Sequence, residues 1–300
     1  MKSSIRPARL RAVGLLGCMM VTLSGCSGAG SSASDSDPSR PGAVINVPMQ
    51  KLNDSKELRL PLDEYLLSAE DLRTVLRARG VILTDCMKKL GVQYDDAAGV
   101  NPVNLTNNER RYGLADAAEA EHSGYRKQGM EHPPPKDLSP EELQLLNGTG
   151  DASRSAQVPK GGCVGEVQRR MPEQAAQGYF GKAQDLSVRS YVQSQKDPAV
   201  LAVNKKWSSC MKEAGYEYPD PISAINDPAF KTPEPGKVEM GVALADVRCK
   251  REENVIGVWS TVESAYQKAL ISESADDLKE AKRYKGEIIK IAEAVLSGKQ

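Results

Sequence analysis

Cys86-Met87-Lys88-Lys89-Leu90-Gly91-Val92-Gln93-Tyr94-Asp95-Asp96 and Cys210-Met211-Lys212-Glu213-Ala214-Gly215-Tyr216-Glu217-Tyr218-Pro219-Asp220 carry cysteine, methionine, lysine, glycine, tyrosine and aspartate at one spacing. In each copy a helical pattern brings cysteine and methionine to its last turn and stops at glycine. A tyrosine-bearing loop follows, and then a further helical segment that begins with or contains a cysteine, Cys163 or Cys249. The repeat therefore reads as two helical hairpins, each stapled once. Four cysteines allow three pairings, and the repeat favours Cys86 with Cys163 and Cys210 with Cys249. The alternative is that these are buried thiols on apolar faces and that the matched glycines are ordinary helix stops.

Outward from the repeat, the first helix opens at Ser68 with Asp71 in the capping-box position. It continues through Leu72, Val75, Leu76, Ile82, Leu83, Cys86, Met87 and Leu90, with Gly91 as its stop and Gly80 as a weak point inside it. Residues 92–160 are loop-rich around Pro133-Pro134-Pro135, with short helical pieces at 114–122 and 140–146, the second marked by Ser139, Pro140 and Glu142. Gly161-Gly162 leads into a helix from Cys163 to about Met171, and a loosely amphipathic segment spans 184–195. Asp197-Pro198 opens the second repeat helix, which ends at Gly215 before a proline-rich loop over 216–236. Residues 237–296 hold no proline and carry Val255, Trp259, Val262, Tyr266, Leu270, Leu278, Ala281, Ile288, Ala292 and Val295 on one helical stripe. They read as one very long helix, or as a hairpin that turns in the polar dip at 272–277. The expected class is all-α, with a low aromatic content and abundant Ala, Glu, Lys and Leu.

At the other end, MKSSIRPARLRAVGLLGCMMVTLSGC (1–26) places Lys2, Arg6, Arg9 and Arg11 before an apolar run at 12–23 that is too short for a stable membrane span. This is the pattern of a secretory signal. Its close, Leu23-Ser24-Gly25-Cys26, resembles the lipobox of bacterial lipoproteins. That resemblance implies a diacylglycerol on the Cys26 thiol, cleavage before Cys26, a palmitate-type anchor and a place on the outer face of the bacterial plasma membrane. Two acyl chains at about 0.8 kcal/mol per methylene make a stable anchor. The following SGAGSSASDSDPSRPGAVINVP (27–48) has the composition of a flexible tether with a reach of roughly 25 Å. The expected organisation is a signal peptide at 1–25, lipidated cysteine and disordered linker at 26–55, a first hairpin with long loops at 56–183, and a second hairpin with the long C-terminal helix at 184–300.

Export bears on the cysteines, because an even number left after Cys18 and Cys26 are set aside points to disulfides. The chain-entropy model gives such closures about 4 kcal/mol apiece. Export also changes the charge. The chain has 40 basic and 40 acidic residues, and loss of the four signal-peptide bases leaves 36 against 40. Arg110-Arg111 and Arg169-Arg170, the densest basic runs, lie among acids, which argues against nucleic acid as a partner.

Arg111-Tyr112-Gly113 with Asp116 and Gly124-Tyr125, Gly161-Gly162-Cys163, Trp207-x-x-Cys210-Met211, Ala245-Asp246-x-x-Cys249 and Trp259 are similar to secreted lipoproteins of actinomycete bacteria. The resemblance covers most of residues 70–270 and brings no activity, substrate or cofactor with it. His122 and His132 stand beside acids in an order unlike H-E-x-x-H. No Gly-x-Ser-x-Gly elbow, phosphate loop or dinucleotide fingerprint occurs, so no catalytic residue, metal or cofactor is nominated. Tyr94, Tyr112, Tyr125, Tyr216 and Tyr218 sit in or beside the loops between stapled helices and are the candidate partner-binding residues. The expectation is a non-catalytic, lipid-anchored envelope protein that presents loops to a protein or cell-wall polymer. The competing readings are a transporter's solute-binding lipoprotein and an enzyme acting on the cell wall.

Overall fold

The computed structural model describes residues 48–52, 55–56, 58–94, 108–126, 137–172, 174–232 and 234–298. The signal peptide, Cys26, most of the tether, His132 and the triple proline lie outside them.

Local chemistry starts the helices where capping residues occur. Ser68 caps α1 (Ala69–Lys89): its hydroxyl accepts from the Asp71 N–H at 3.0 Å while the Asp71 carboxylate accepts from the Ser68 N–H at 2.8 Å. Gly80 is buried inside α1 and does not break it, and Gly91 follows the helix at φ +80°. Then come α2 (Ala117–Ser123), capped by Asp116, α3 (Pro140–Asn147), capped by Ser139 with Glu142, and α4 (Gly162–Arg170). The segment expected at 184–195 is the second half of a longer helix, α5 (Gln174–Ser194). Asp197 caps α6 (Pro198–Glu213), after which Gly215 adopts φ +88°. The loop at 216–236 contains α7 (Pro221–Ile225), started by Asp220 and Pro221 in the same N-cap and first-turn roles as Asp197 and Pro198. The chain ends with α8 (Lys237–Glu252), α9 (Val255–Glu273) and α10 (Ala275–Leu296). All regular structure among the described residues is helical.

Both disulfides join the cysteines that the repeat favours. Cys86 at the end of α1 bonds Cys163 in the first turn of α4, and Cys210 bonds Cys249 in the last turns of α6 and α8, with Cα–Cα separations of 5.6 and 5.7 Å.

The C-terminal region is neither one helix nor a fold-back hairpin. Asn254, at φ +55°, separates α8 from α9; asparagine tolerates this left-handed conformation better than other residues with a Cβ. Ser274, inside the polar dip, separates α9 from α10. α5 runs antiparallel along both sides of that second break. Ser194 meets Trp259, Ser190 meets Glu263, Ala183 and Leu186 cluster with Leu270 and Leu278, and Lys182 reaches Asp277. α9 and α10 thus form one broken rod.

The rod joins the stapled pairs. α10 supplies Ile288 and Ala292 to a cluster with Val75, Ala78 and Ile82 of α1 and Val167 of α4. α9 supplies Val255, Ile256, Trp259, Val262 and Tyr266 to the largest cluster, which holds Trp207, Cys210 and Met211 of α6 and Val242, Ala245 and Cys249 of α8. The boundary expected at 183/184 falls inside α5, and the described residues belong to one compact unit.

The linker expected to extend to residue 55 ends earlier. The Asn254 side chain donates to Gln50 O at 2.7 Å and accepts from Leu52 N–H at 3.1 Å, and Ser55 is buried with its hydroxyl donating to Glu109 O. Gly257 makes room for this crossing, since a Cβ there would stand 1.9 Å from Gln50 O.

Candidate functional site

Two buried ionic groups lie in the interior, one centred on α9 and one on α8. In the first, Glu263 of α9 is completely buried and accepts from Arg111 Nε at 2.9 and 3.0 Å, from Tyr112 OH at 2.8 Å, from Ser190 Oγ at 2.9 Å and from Gln267 Nε2 at 2.9 Å. Arg111 Nη2 also donates to Ser187 O at 2.8 Å. Burial acts to lower the Arg111 pKa, but the Glu263 carboxylate outweighs it and leaves the guanidinium above its ordinary value. Burial, then the same carboxylate, pushes the Tyr112 hydroxyl well up.

In the second, Asp246 and Lys250 lie one turn apart on α8, both fully buried, with Nζ 2.7 Å from Oδ2. Trp207 Nε1 donates to Asp246 Oδ1 at 3.0 Å, and Lys250 Nζ donates to Leu114 O at 3.0 Å. Burial pushes the Asp246 carboxyl up and the Lys250 ammonium down, and each charge opposes its neighbour's shift. Without good partners such buried charges cost several kcal/mol each. Both acids are enclosed and bonded on every side by the protein's own donors, an arrangement that fixes helices in register and leaves neither acid a face toward solvent.

Five candidate tyrosines divide between these surroundings. Tyr94 packs beside the Cys86–Cys163 bond with Leu145 and Leu146, apart from the others. Tyr112 has no exposed surface: its ring packs 5.1 Å from Trp259 and its hydroxyl serves Glu263, so it is a core residue and contacts no outside partner. Tyr125 is half-buried against Phe230, and burial followed by the Asp246 charge raises its hydroxyl far above the ordinary phenol value. Tyr218 rests on the large cluster, and its hydroxyl donates to Asp227 Oδ2 at 2.6 Å; burial and that bond push it up to about 12. Tyr218 therefore has a structural task that the composition of its loop did not suggest.

Tyr216 packs on the same cluster but also borders open space. It is half-buried, its hydroxyl stands where a Cβ on Gly241 would come within 2.8 Å, and it forms one wall of an open groove of about 700 Å³. The outer face of α8 forms the floor, with Leu244, Val247, Arg248, Arg251 and Glu252, while Ala214 and Ala117 close the sides. Leu244 is 38 % exposed there. Arg248 pairs loosely with Glu252 at 3.7 Å, and Arg251 Nη2 donates to Ala115 O at 3.3 Å. The groove thus offers apolar area, one aromatic wall and two guanidinium groups. Residues 108–126 and the 216–236 loop do meet beside it: Arg126 donates to Phe230 O at 3.1 Å, and Tyr125 packs on Phe230.

No family model, curated protein or solved structure matches this chain. Among the described residues, Cys210, Cys249 and Glu252 are the one grouping of metal-ligand type, and its two sulfurs are bonded to each other. His122 lies on an exposed helix face with Nδ1 2.8 Å from Ala118 O.

Glu263 and Lys250 are not among the residues singled out in the sequence, and Asp246 stands there only within the resemblance to actinomycete lipoproteins. A signal was present for the first: Glu263 falls on the apolar stripe of α9 between Trp259 and Tyr266. A charged residue on such a stripe announces a buried partner, but nothing local says that the partner is Arg111.

Proposed function

We propose that the protein is a non-catalytic lipoprotein, anchored by Cys26 to the outer face of the bacterial plasma membrane, that presents the α8 groove and its flanking loop to a protein or cell-wall partner. The observation that carries this reading is the groove itself, where Tyr216, Leu244, Arg248 and Arg251 converge on one open surface while the acid Asp246 is fully buried on the same helix. Aromatic and arginine side chains around an apolar floor suit contact with a folded partner or a polymer. Support for the anchor comes from the lipobox resemblance at 23–26. The all-helical body counts against the two α/β lobes of a solute-binding lipoprotein.

A photoreactive amino acid at Leu244, irradiated in intact cells, tests the reading. The expected result is a discrete adduct that weakens when Tyr216→Ala is added and is absent when the probe stands at Leu143, an exposed leucine of α3. Equal adducts at both positions, or none at Leu244 in cells that retain the protein in the membrane fraction, would remove the groove as the contact surface. Mass spectrometry of the mature N-terminal peptide tests the anchor separately: an unmodified Cys26 would end the lipoprotein reading.

A further inference from the structure

The two staples differ in the setting of one sulfur: Cys86, Cys210 and Cys249 all lie in the last turns of helices, and Cys163 alone lies at a helix start. Cys163 and Cys249 are both completely buried, so desolvation opposes a negative sulfur equally in the two bonds. The helix ends differ. Cys163 is the second residue of α4, where backbone N–H groups and the positive end of the helix favour a thiolate. Cys249 lies in the last turn of α8 and Cys210 in the last turn of α6, at the negative ends. Glu252 adds a carboxylate 3.4 Å from Cys210 Sγ, and Asp246, one turn before Cys249, is already paired with Lys250. Residual exposure does not separate the outer cysteines, at 7 % for Cys86 and 9 % for Cys210, but a cavity does. Cys86 borders a cavity of about 170 Å³ whose rim carries Lys89 and Arg170 together with Asp85 and Glu166, the last of these paired with Arg169. Cys210 borders neither this cavity nor the α8 groove and has the Glu252 carboxylate beside it instead.

We propose that Cys86–Cys163 is a thiol–disulfide exchange site for a dithiol reductant, whereas Cys210–Cys249 is a permanent staple. A reductant thiolate entering the cavity attacks Cys86 Sγ; the S–S bond breaks and its electron pair leaves on Cys163 Sγ at the start of α4. The second thiol of the reductant, deprotonated, then attacks its own sulfur in the mixed disulfide and displaces the Cys86 thiolate, which takes up the released proton. The dithiol leaves oxidised, and both protein cysteines are reduced. Leaving-group stability governs such exchange, and the helix start supplies it at Cys163 alone. The opened staple frees the end of α1 from α4 while the α6–α8 pair stays closed on the rod.

The test uses the folded full chain with dithiothreitol as the reductant, quenched at intervals with iodoacetamide and mapped by mass spectrometry. Alkylation of Cys86 and Cys163 is expected about tenfold sooner than that of Cys210 and Cys249, the combined effect of the helix ends and the carboxylate. Equal rates for the two bonds, as reduction through global unfolding produces, would overturn the proposal, as would earlier opening of Cys210–Cys249. Glu252→Gln is expected to speed reduction of Cys210–Cys249 by about threefold and to leave Cys86–Cys163 unchanged, since one like charge at the rim is removed. No acceleration would show that Glu252 does not guard that bond.

Discussion

Arg111 grips the buried carboxylate of Glu263 through both Nε and Nη2, across 152 residues of chain. The pair ties the segment before α2 to the middle of α9, and Tyr112, Ser190 and Gln267 complete the carboxylate's hydrogen bonds. Removing one member leaves the other charge buried without a partner. Glu263→Gln is therefore expected to lower stability by about 3–5 kcal/mol in urea denaturation, whereas Arg111→Met with Glu263→Leu should recover part of that loss, the buried Tyr112 and Gln267 donors having lost their acceptor. A double variant no more stable than Glu263→Gln would show that the pair does more than satisfy itself.

Gly257 tests the docking of the tether's end. Gly257→Ala puts a methyl group against Gln50 O, so residues 48–52 are expected to leave the Asn254 side chain while α9 stays folded. Hydrogen exchange should rise at Leu52, whose N–H donates to Asn254, with little change at Trp259. Unchanged protection at Leu52 would mean that the crossing can shift aside without detaching.

Asp116 gives a pH dependence with a definite sign. Its hydrogen bond to Lys56, together with the Glu119 and Ala118 N–H groups at the start of α2, holds the carboxyl below its ordinary value despite partial burial. A lowered folded pKa contributes stability that is present above the unfolded value, about 3.9, and is lost as pH falls through the folded one. Asp116→Ala should cost about 1 kcal/mol at pH 7 as a lost N-cap. The difference between variant and wild type should shrink below pH 4. A difference that stays constant down to pH 2 would assign the effect to packing.

Tyr216 and Tyr218 separate by their bonds, although they stand two residues apart. Tyr218→Phe removes the hydroxyl that donates to Asp227 and should lower stability by about 1–2 kcal/mol. Tyr216→Phe changes only the groove wall, and the thermal midpoint should stay within a degree or two while adduct formation at Leu244 falls. A large drop in midpoint for Tyr216→Phe would place that hydroxyl in the folding core.

Helix starts and stops were legible in the sequence because capping is decided within four residues: Ser68 with Asp71, Ser139 with Glu142 and Asp197 with Pro198 act wherever the rest of the chain goes. Asp220-Pro221 carried the same signal for α7, concealed by the prolines around it. The disulfide pairing was legible for another reason. The repeat marks the same end of each bonded pair, the last turn of α1 and of α6, although the partners differ, with Cys163 at the start of α4 and Cys249 at the end of α8. The groove was half legible: Tyr216 was visible as a loop tyrosine, but its wall partners lie on α8, which the sequence presents only as part of a long helical run.

What the tertiary structure alone decided are the relations between distant residues. Asn254 can take the left-handed turn between α8 and α9 for a local reason, but its side chain meets Gln50 and Leu52 about two hundred residues away in sequence, a contact absent from any local window. Tyr112 belongs to the core and Tyr216 to a surface, though both are loop tyrosines, because only Tyr112 lies over the rod near Trp259 and Glu263. The division follows from the range of the forces. Backbone capping and side-chain periodicity act over a few residues and can be read along the chain. Burial, and the pairing of charges that burial demands, depend on which surfaces meet once the chain has closed on itself.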